Sequence, residues 1–447
     1  MEKYTARINI LKALVLELEN ELELYKKSLE YLQSKYVSVL NTYKASIQIT
    51  QFLREITNIS DPQERKERYN QFLQKDVKNG IKYKDIFKLD LDSFSEGNIK
   101  FGMTFAKGLS LEYMWPENGD EKIFQVCKAN TTIGEKVVVE IVRAFEYYFR
   151  NILQILVRKK PKLYLHDKTI SYETLISSKY EDLQESLINQ CVESLLFDTV
   201  KTLEKINKFH GLKLENYGEI VDSFKQIILH RNIIEHNDSV INTNYIKNLP
   251  ERFRGIDKIN QKKICDLNYI SNKINDIIKL AYLLYFMVNR SQNDLNLLEE
   301  IAYNFLKDEQ WDIAEFAHSL LEKVPNYAND RLYNAKINKL NAQKHLEGLE
   351  SLRSKIENLD VSGMSDIYIL AKLLLLEKNE EVTEFLESHY GSEECSMIKV
   401  QTWPIFIEYR KTQHYRNFIS RHKEDFEQFD YDKEVLSNET NCTELLK

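Results

Sequence analysis

The chain has 447 residues, 29% of them charged, and a formal net charge of −7 at pH 7. That balance excludes a generally basic nucleic-acid binder, so any contact with a polyanion must come from a local patch. With only 12 Gly and 6 Pro, and with Leu, Ile, Lys, Glu and Asn abundant, the composition favours helices joined by short connections.

From Tyr4 to Ile56 there is neither Pro nor Gly, and one long helix is expected. Leu11, Val15, Leu18, Leu22, Tyr25, Leu29, Leu32, Tyr36, Val39 and Tyr43 follow alternating steps of four and three, a heptad seam flanked by Glu and Lys. Such a seam serves either self-association and docking on a partner helix or packing against its own domain. Leu14, Leu16 and Leu24 widen the apolar face, which favours packing on more than one side. Ser60-Asp61-Pro62 combines a capping residue with a first-turn proline, so a short charged helix should follow over Gln63–Val77. These elements make an N-terminal segment of residues 1–78.

Over residues 79–130 the period changes. Ile99–Phe105, Leu109–Trp115 and Lys122–Cys127 alternate as strands do, with Gly108 and Pro116–Gly119 as turns, and predict a small antiparallel sheet. Phe101 and Trp115 there suit core packing, or stacking on a base.

Residues 131–290 read as a helical bundle. Thr131 or Thr132 should cap a helix running through Val137–Val142 to Val157, closed by the basic turn Arg158-Lys159-Lys160-Pro161-Lys162. Further helices are expected at Glu181–Leu196, Asp198–Phe209 and Tyr217–Asn237, with a strongly apolar central one at Cys265–Arg290.

After Ser291 the pattern becomes repeated helical hairpins. The apolar pairs Trp311–Ala314, Leu346–Leu349, Val382–Phe385 and Tyr415–Phe418 each follow a polar turn, at Asp308–Gln310, Ala342–Lys344, Lys378–Glu380 and Lys411–Gln413. Their recurrence, about every 33 to 36 residues, is that of tetratricopeptide-like arrays, whose surface ordinarily serves protein partners. The array is expected over residues 291–430, followed by a loose acidic tail, 431–447. The fold class is therefore mainly α.

Five cysteines, far apart and in no metal-ligand spacing, fit reduced thiols. The N-terminus lacks a signal-peptide core, and the longest apolar run, around Leu280–Val288, is too short to span a bilayer. A cytoplasmic location without membrane attachment is expected.

One stretch reads as chemistry: Leu229-His230-Arg231-Asn232-Ile233-Ile234-Glu235-His236-Asn237-Asp238. At roughly 100° per residue, Arg231, Asn232, Glu235 and His236 share a polar sector of about 140°, backed by Ile233 and Ile234. Arg supplies a planar charge for phosphate oxygens, and His a proton donor and acceptor near neutral pH. The bland alternative is a solvated face with an Arg–Glu pair at i, i+4. His230, His210 and His166 carry no spacing signal and read as surface or satisfied histidines. Between the motif and the last bundle helix lie Lys247, Arg252, Arg254, Lys258, Lys262 and Lys263, opposed only by Glu251 and Asp257. This local excess suits an RNA-backbone track, or a solvated connector.

Arg231, Asn232 and His236, with Ala144–Phe149, Arg158–Pro161, Ile170–Glu173 and His236–Asn242 around them, resemble the HEPN superfamily over roughly Thr132–Leu249. That family consists of all-α domains, many of them metal-independent ribonucleases. Two features depart from its pattern: Asp238-Ser239 replaces a more Gly-like turn, and Asp238 stands where one variant carries a Tyr modified by a nucleotidyltransferase. The resemblance implies an RNA endonuclease with no metal or organic cofactor, acting as a homodimer. In it, His236 would be general acid or base, Arg231 would hold the phosphate and Asn232 would orient the phosphate or the imidazole. Glu235 and Glu146 would be supporting residues, and Arg252, Arg254, Lys258, Lys262 and Lys263 would bind RNA, with tRNA a family-level substrate. A cytosolic protein of this kind with a partner-sensing array looks similar to toxins and abortive-infection defence effectors. The alternative is a non-catalytic scaffold with the same modules.

Overall fold

A computed structural model describes residues 10–78, 81–90, 100–103, 116–166, 169–177, 179–255, 257–289, 291–390, 392 and 396–423. The described chain is mainly helical. Helix α1 (Ile10–Thr57) is followed by α2 (Pro62–Leu73), then by β1 (Asp76–Lys78), β2 (Ile81–Lys82), α3 (Tyr83–Ile86), β3 (Phe87–Asp90) and β4 (Lys100–Met103). The strands form two separate antiparallel pairs, β1 with β2 and β3 with β4. Next come α4 (Pro116–Lys159), α5 (Pro161–Tyr164), α6 (Tyr172–Ser177), α7 (Tyr180–Leu196), α8 (Thr199–His210), α9 (Gly218–Asn237), α10 (Thr243–Asn248) and α11 (Leu267–Val288). The remainder is α12 (Gln292–Lys307), α13 (Trp311–Leu321), α14 (Asn329–Glu347), α15 (Leu349–Glu357), α16 (Asp366–Leu375), α17 (Asn379–Ser388), α18 (Met397–Thr402), α19 (Ile407–Arg410) and α20 (Gln413–Arg421).

Local chemistry sets several of these ends. Asp61 caps α2 by accepting from the Gln63 and Glu64 amides, with Pro62 in the first turn. Asp198 caps α8, and Gly211 closes it in the left-handed region at φ 62°. Ser291 and Asp294 form a reciprocal capping box on α12.

Two expected boundaries are corrected. Lys122–Cys127, read as a strand, is helical, because α4 begins at Pro116 and continues without interruption to Lys159. Thr131 and Thr132 are accordingly interior to α4 and cap nothing. Proline at a first helical position starts a helix as readily as it makes a turn. The expected strand Leu109–Trp115 and the side chain of Phe101 lie outside the described residues.

The chain divides into two compact units, and the divisions fall inside α1, α4, α9 and α11. The first unit comprises residues 1–16, 145–224 and 275–447. Its bundle core is the apolar stripe Phe145, Tyr148, Phe149, Ile152, Leu153 and Leu156 of α4, at helical spacing, all essentially buried. Phe145 packs on Phe224 with ring centroids 4.8 Å apart, and the Tyr148 hydroxyl donates to the Ala281 carbonyl at 2.7 Å.

The same unit carries the helical hairpins. Helices α12 and α13, and again α16 and α17, are joined by one turn geometry. Glu309 and Glu377 both take a left-handed φ of 56°. The amide after each bonds five residues back, Gln310 to Phe305 at 2.8 Å and Lys378 to Leu373 at 3.1 Å. Val382 and Phe418 of the apolar pairs are buried, and Trp311 stacks on His345 at 3.8 Å. The second hairpin departs from expectation. Ala342, Gln343 and Lys344 are no turn but part of α14, which runs on to Glu347, and Ala342 and Lys344 are buried. The chain turns instead at Gly348, with φ 84°, leaving Leu346 exposed.

The second unit comprises residues 17–144 and 225–274. Along the heptad seam, Leu11 and Val15 are buried in the first unit, and Leu18 and Tyr25 in the second. The start of the seam therefore packs within its own chain. Leu14 is buried as well, whereas Leu16 and Leu24 face solvent. The side chains of Tyr36, Val39 and Tyr43 lie outside the described residues. Further along α1, Phe52 stacks on Phe72 of α2 at 4.0 Å, which in turn meets Tyr83 at 4.3 Å. Among the described residues, no helix is long and apolar enough to cross a membrane.

Candidate active site

The motif occupies the last turns of α9, in the second unit. Its inner face is apolar: Ile233 is buried with Ile241, Tyr245 and Leu249, and Leu229, Ile246 and Phe253 pack against this cluster. Burial of that face orients the other. Asn232, Glu235 and His236 are exposed, and Arg231 is half-buried beside them. Arg231 donates from Nη1 to Glu235 Oε2 at 3.2 Å, one turn along. No hydrogen bond or ion pair engages the Asn232 amide or the His236 ring among the described residues. Glu146 belongs to the first unit and is half-buried.

Helix α9 ends abruptly after Asn237. Asp238 and Ser239 both lie in the left-handed region, at φ 47° and 62°. This is a conformation that costs an L-residue roughly 1 kcal/mol or more, and that Asp and Asn tolerate best. The turn is held regardless. The Ser239 amide donates to the Ile233 carbonyl at 3.0 Å, and the Ser239 hydroxyl reaches Glu135 of α4. Beyond it, Val240 and Lys262 form an antiparallel bridge, flanked by bonds from Ile241 to Gln261 and from Lys263 to Ser239, each 2.9 Å. The departure from a Gly-like turn is therefore met by anchoring, and the position of His236 is fixed by that anchoring.

The basic connector returns along this bridge. Lys247, Arg252, Lys258 and Lys262 are exposed. Arg254 is exposed overall, while its Nε donates to the Leu249 carbonyl at 3.0 Å. Lys263 corrects the expected RNA track. It is buried, and its ammonium donates to both oxygens of Asp257, at 2.6 and 2.8 Å. Tyr245 also donates to Asp257, at 3.0 Å. Burial of an ammonium requires such a partner, so Lys263 holds the connector in shape rather than facing a polyanion. Its loss from the track removes Asp257 as well, and the exposed surface stays positive.

Sequence reasoning left out a buried polar cluster behind the motif helix. His230 is fully buried; its Nδ1 pairs with the Tyr269 hydroxyl at 2.8 Å, and its Nε2 lies 3.6 Å from Cys265 Sγ. Burial, reinforced by Lys263 and Lys273, pushes its pKa down to about 3, so the ring is neutral near pH 7. The Cys265 thiol is pushed up to about 12, first by burial and then by Glu135, and is no nucleophile. Tyr25 of α1 donates to the Cys265 carbonyl at 2.7 Å. At the same point Gly134 approaches so closely that a Cβ would stand 2.7 Å from Cys265 Cβ and 2.8 Å from its carbonyl oxygen. His230 adjoins Arg231 in sequence, but it faces the core and is a satisfied core histidine.

A scan against protein-family models finds no match, and searches of curated proteins and of solved structures find none either.

Proposed function

We propose that the protein is a metal-independent RNA endonuclease of HEPN type, working as a homodimer on tRNA or another cellular RNA. The observation that carries this reading is the outer face of α9. It presents an unengaged histidine and asparagine beside an arginine, on a turn braced against an exposed basic connector.

His236 takes the proton of a ribose 2′-hydroxyl, or gives one to the departing 5′-oxygen. The 2′-oxygen bonds to phosphorus as the P–O5′ bond breaks, which leaves a 2′,3′-cyclic phosphate. Arg231 holds the phosphate and stabilises the charge that builds on it. A phosphate competes with Glu235 for its guanidinium, whose planar fork pairs bidentately with either group. Asn232 orients the same group. Lys258, Lys262, Arg252 and Arg254 supply the backbone track. Single-stranded loops suit such a site because their bases and 2′-hydroxyls are accessible. In the cell, this activity belongs to a toxin or an abortive-infection defence effector, with the helical hairpins receiving a protein trigger.

The Arg231–Glu235 pair is also what a purely structural helix face would show, and it favours a second reading, a non-catalytic scaffold. Cleavage of total tRNA by the purified chain in excess EDTA, beside Arg231→Ala and His236→Ala, separates the two. Cleavage by the unaltered chain alone, with cyclic or 3′-phosphate ends, supports the ribonuclease. Equal cleavage by all three rejects the assignment of these residues.

A further inference from the structure

The first unit contains a cavity of about 440 Å³, bounded by α12, α13, α14, α16 and α18. That size lies within the roughly 300–1,000 Å³ of small-molecule sites. One wall is a polar stripe on α14, where Arg331, Asn334 and Asn338 are spaced i, i+3, i+7 and so share one helix face. Arg331 is clamped from behind. Its Nε donates to Glu299 at 2.6 Å and its Nη2 to Asn296 at 2.8 Å, which leaves Nη1 without a partner among the described residues. The Asn334 and Asn338 amides are likewise unengaged there. Tyr303 of α12, Tyr368 of α16 and Trp403, just past α18, contribute aromatic side chains to the lining.

The most telling lining residue is His318. It is only 2% exposed; the Ala302 backbone stands near the ring but outside good hydrogen-bond geometry, so neither ring nitrogen has a full hydrogen-bond partner among the described residues. Buried polar atoms in native proteins are nearly always satisfied, and an orphaned imidazole against a cavity calls for an occupant with donors and acceptors. Glu299 is engaged by Tyr327 and Arg331, and the lining counts two cations, Arg331 and Lys399, to that one carboxylate. Aromatic faces, amide edges and one net cationic charge match a planar heteroaromatic ring bearing a phosphate.

We propose that the cavity binds a nucleoside monophosphate. The ring lies against the aromatic side chains with its edge read by Asn334 and Asn338, the phosphate is met by Arg331 Nη1 and Lys399, and His318 is satisfied by the ligand. The site is independent of the ribonuclease reading.

The test is calorimetric titration of the full-length chain with each of the four ribonucleoside 5′-monophosphates, and with inorganic phosphate alone. At least one monophosphate should bind with one-to-one stoichiometry and a dissociation constant below about 0.1 mM, and phosphate alone should bind far more weakly. Asn338→Leu or Trp403→Ala should weaken binding by about tenfold or more. Asn338 has no partner to lose, so its replacement leaves the fold intact. Four outcomes overturn the proposal: no monophosphate binding at about 1 mM, affinity unchanged in both variants, displacement of the monophosphate by an acidic peptide, or binding abolished by Arg231→Ala instead.

Discussion

The Ser239 hydroxyl donates to a Glu135 carboxylate oxygen at 2.5 Å across 104 residues of sequence. This bond ties the turn that ends the motif helix to α4, and it explains how two consecutive left-handed residues without glycine are tolerated two and three residues after His236. Ser239→Ala should destabilise the second unit by about 1–2 kcal/mol, since it leaves a carboxylate oxygen without its donor. Asp238→Gly should stabilise it by up to about 1 kcal/mol by removing the left-handed penalty. Urea denaturation of the two variants checks both signs.

His236→Ala should leave stability within about 0.5 kcal/mol of the original chain, because the ring is exposed and unengaged. RNA cleavage in that variant should fall by about 10²–10⁴-fold. Thermal melts alongside cleavage assays separate the two effects. A drop in both would mark His236 as structural.

Acid should destabilise the protein through His230 and His318, both held down at about 3 by burial. The sign follows from the proton balance. Below the unfolded pKa of about 6.5 the unfolded chain binds protons that the folded chain refuses, so stability is full above that value and is lost as pH falls toward 3. Between pH 7 and pH 5 each ring accounts for a loss of about 2 kcal/mol. Denaturant midpoints for His230→Phe and His318→Phe should each show a flatter pH profile over that interval, and an unchanged slope would contradict the burial of these rings.

Gly134→Ala should destabilise by about 1–3 kcal/mol despite the higher helix propensity of alanine, because the new Cβ meets a backbone carbonyl and not a flexible side chain. Gly218→Ala is the matched control. It begins α9 with no atom within 4 Å of the new Cβ, and should be neutral or stabilising by up to about 1 kcal/mol. Calorimetric melting of the two variants provides the comparison.

The basic connector should divide into two behaviours. Lys258→Gln with Lys262→Gln should leave folding unchanged and reduce the salt dependence of RNA binding, by roughly 0.7–0.9 log units of slope per lost phosphate contact. Lys263→Met should instead cost about 3–5 kcal/mol of stability, because it strands the buried Asp257 carboxylate. Filter binding over a salt series, with a melt of each variant, reads both.

Much of this organisation was legible in the chain. Helical periodicity located α7, α8, α9 and α11 to within a few residues, because each buries a continuous apolar stripe. The heptad seam was legible as an apolar line, but not its destination; a line of Leu and Tyr packs equally well on a neighbour or on its own domain. Lys122–Cys127 misled because its apolar residues Ile123, Phe124, Val126 and Cys127, at i, i+1, i+3 and i+4, fit one face of a helix as well as a short strand. Ala342–Lys344 misled because polarity alone marks a turn only where the backbone can reverse, and that freedom lay at Gly348. The outer face of the motif was readable from spacing. Lys263, His230 and Glu135 were not, since nothing local signals which charged group a distant segment will cover.

The matching turns at Glu309 and Glu377 carry a consequence for how this chain could change length. They sit two repeat periods apart, with the same φ and the same backbone bond. A deletion that joins Asp308 to Glu377 would therefore inherit a ready-made junction, although the intervening hairpin turns at Gly348 out of step. The array has natural splice points where modules could be lost or gained without inventing new turn chemistry, and its middle hairpin belongs to a two-hairpin cassette.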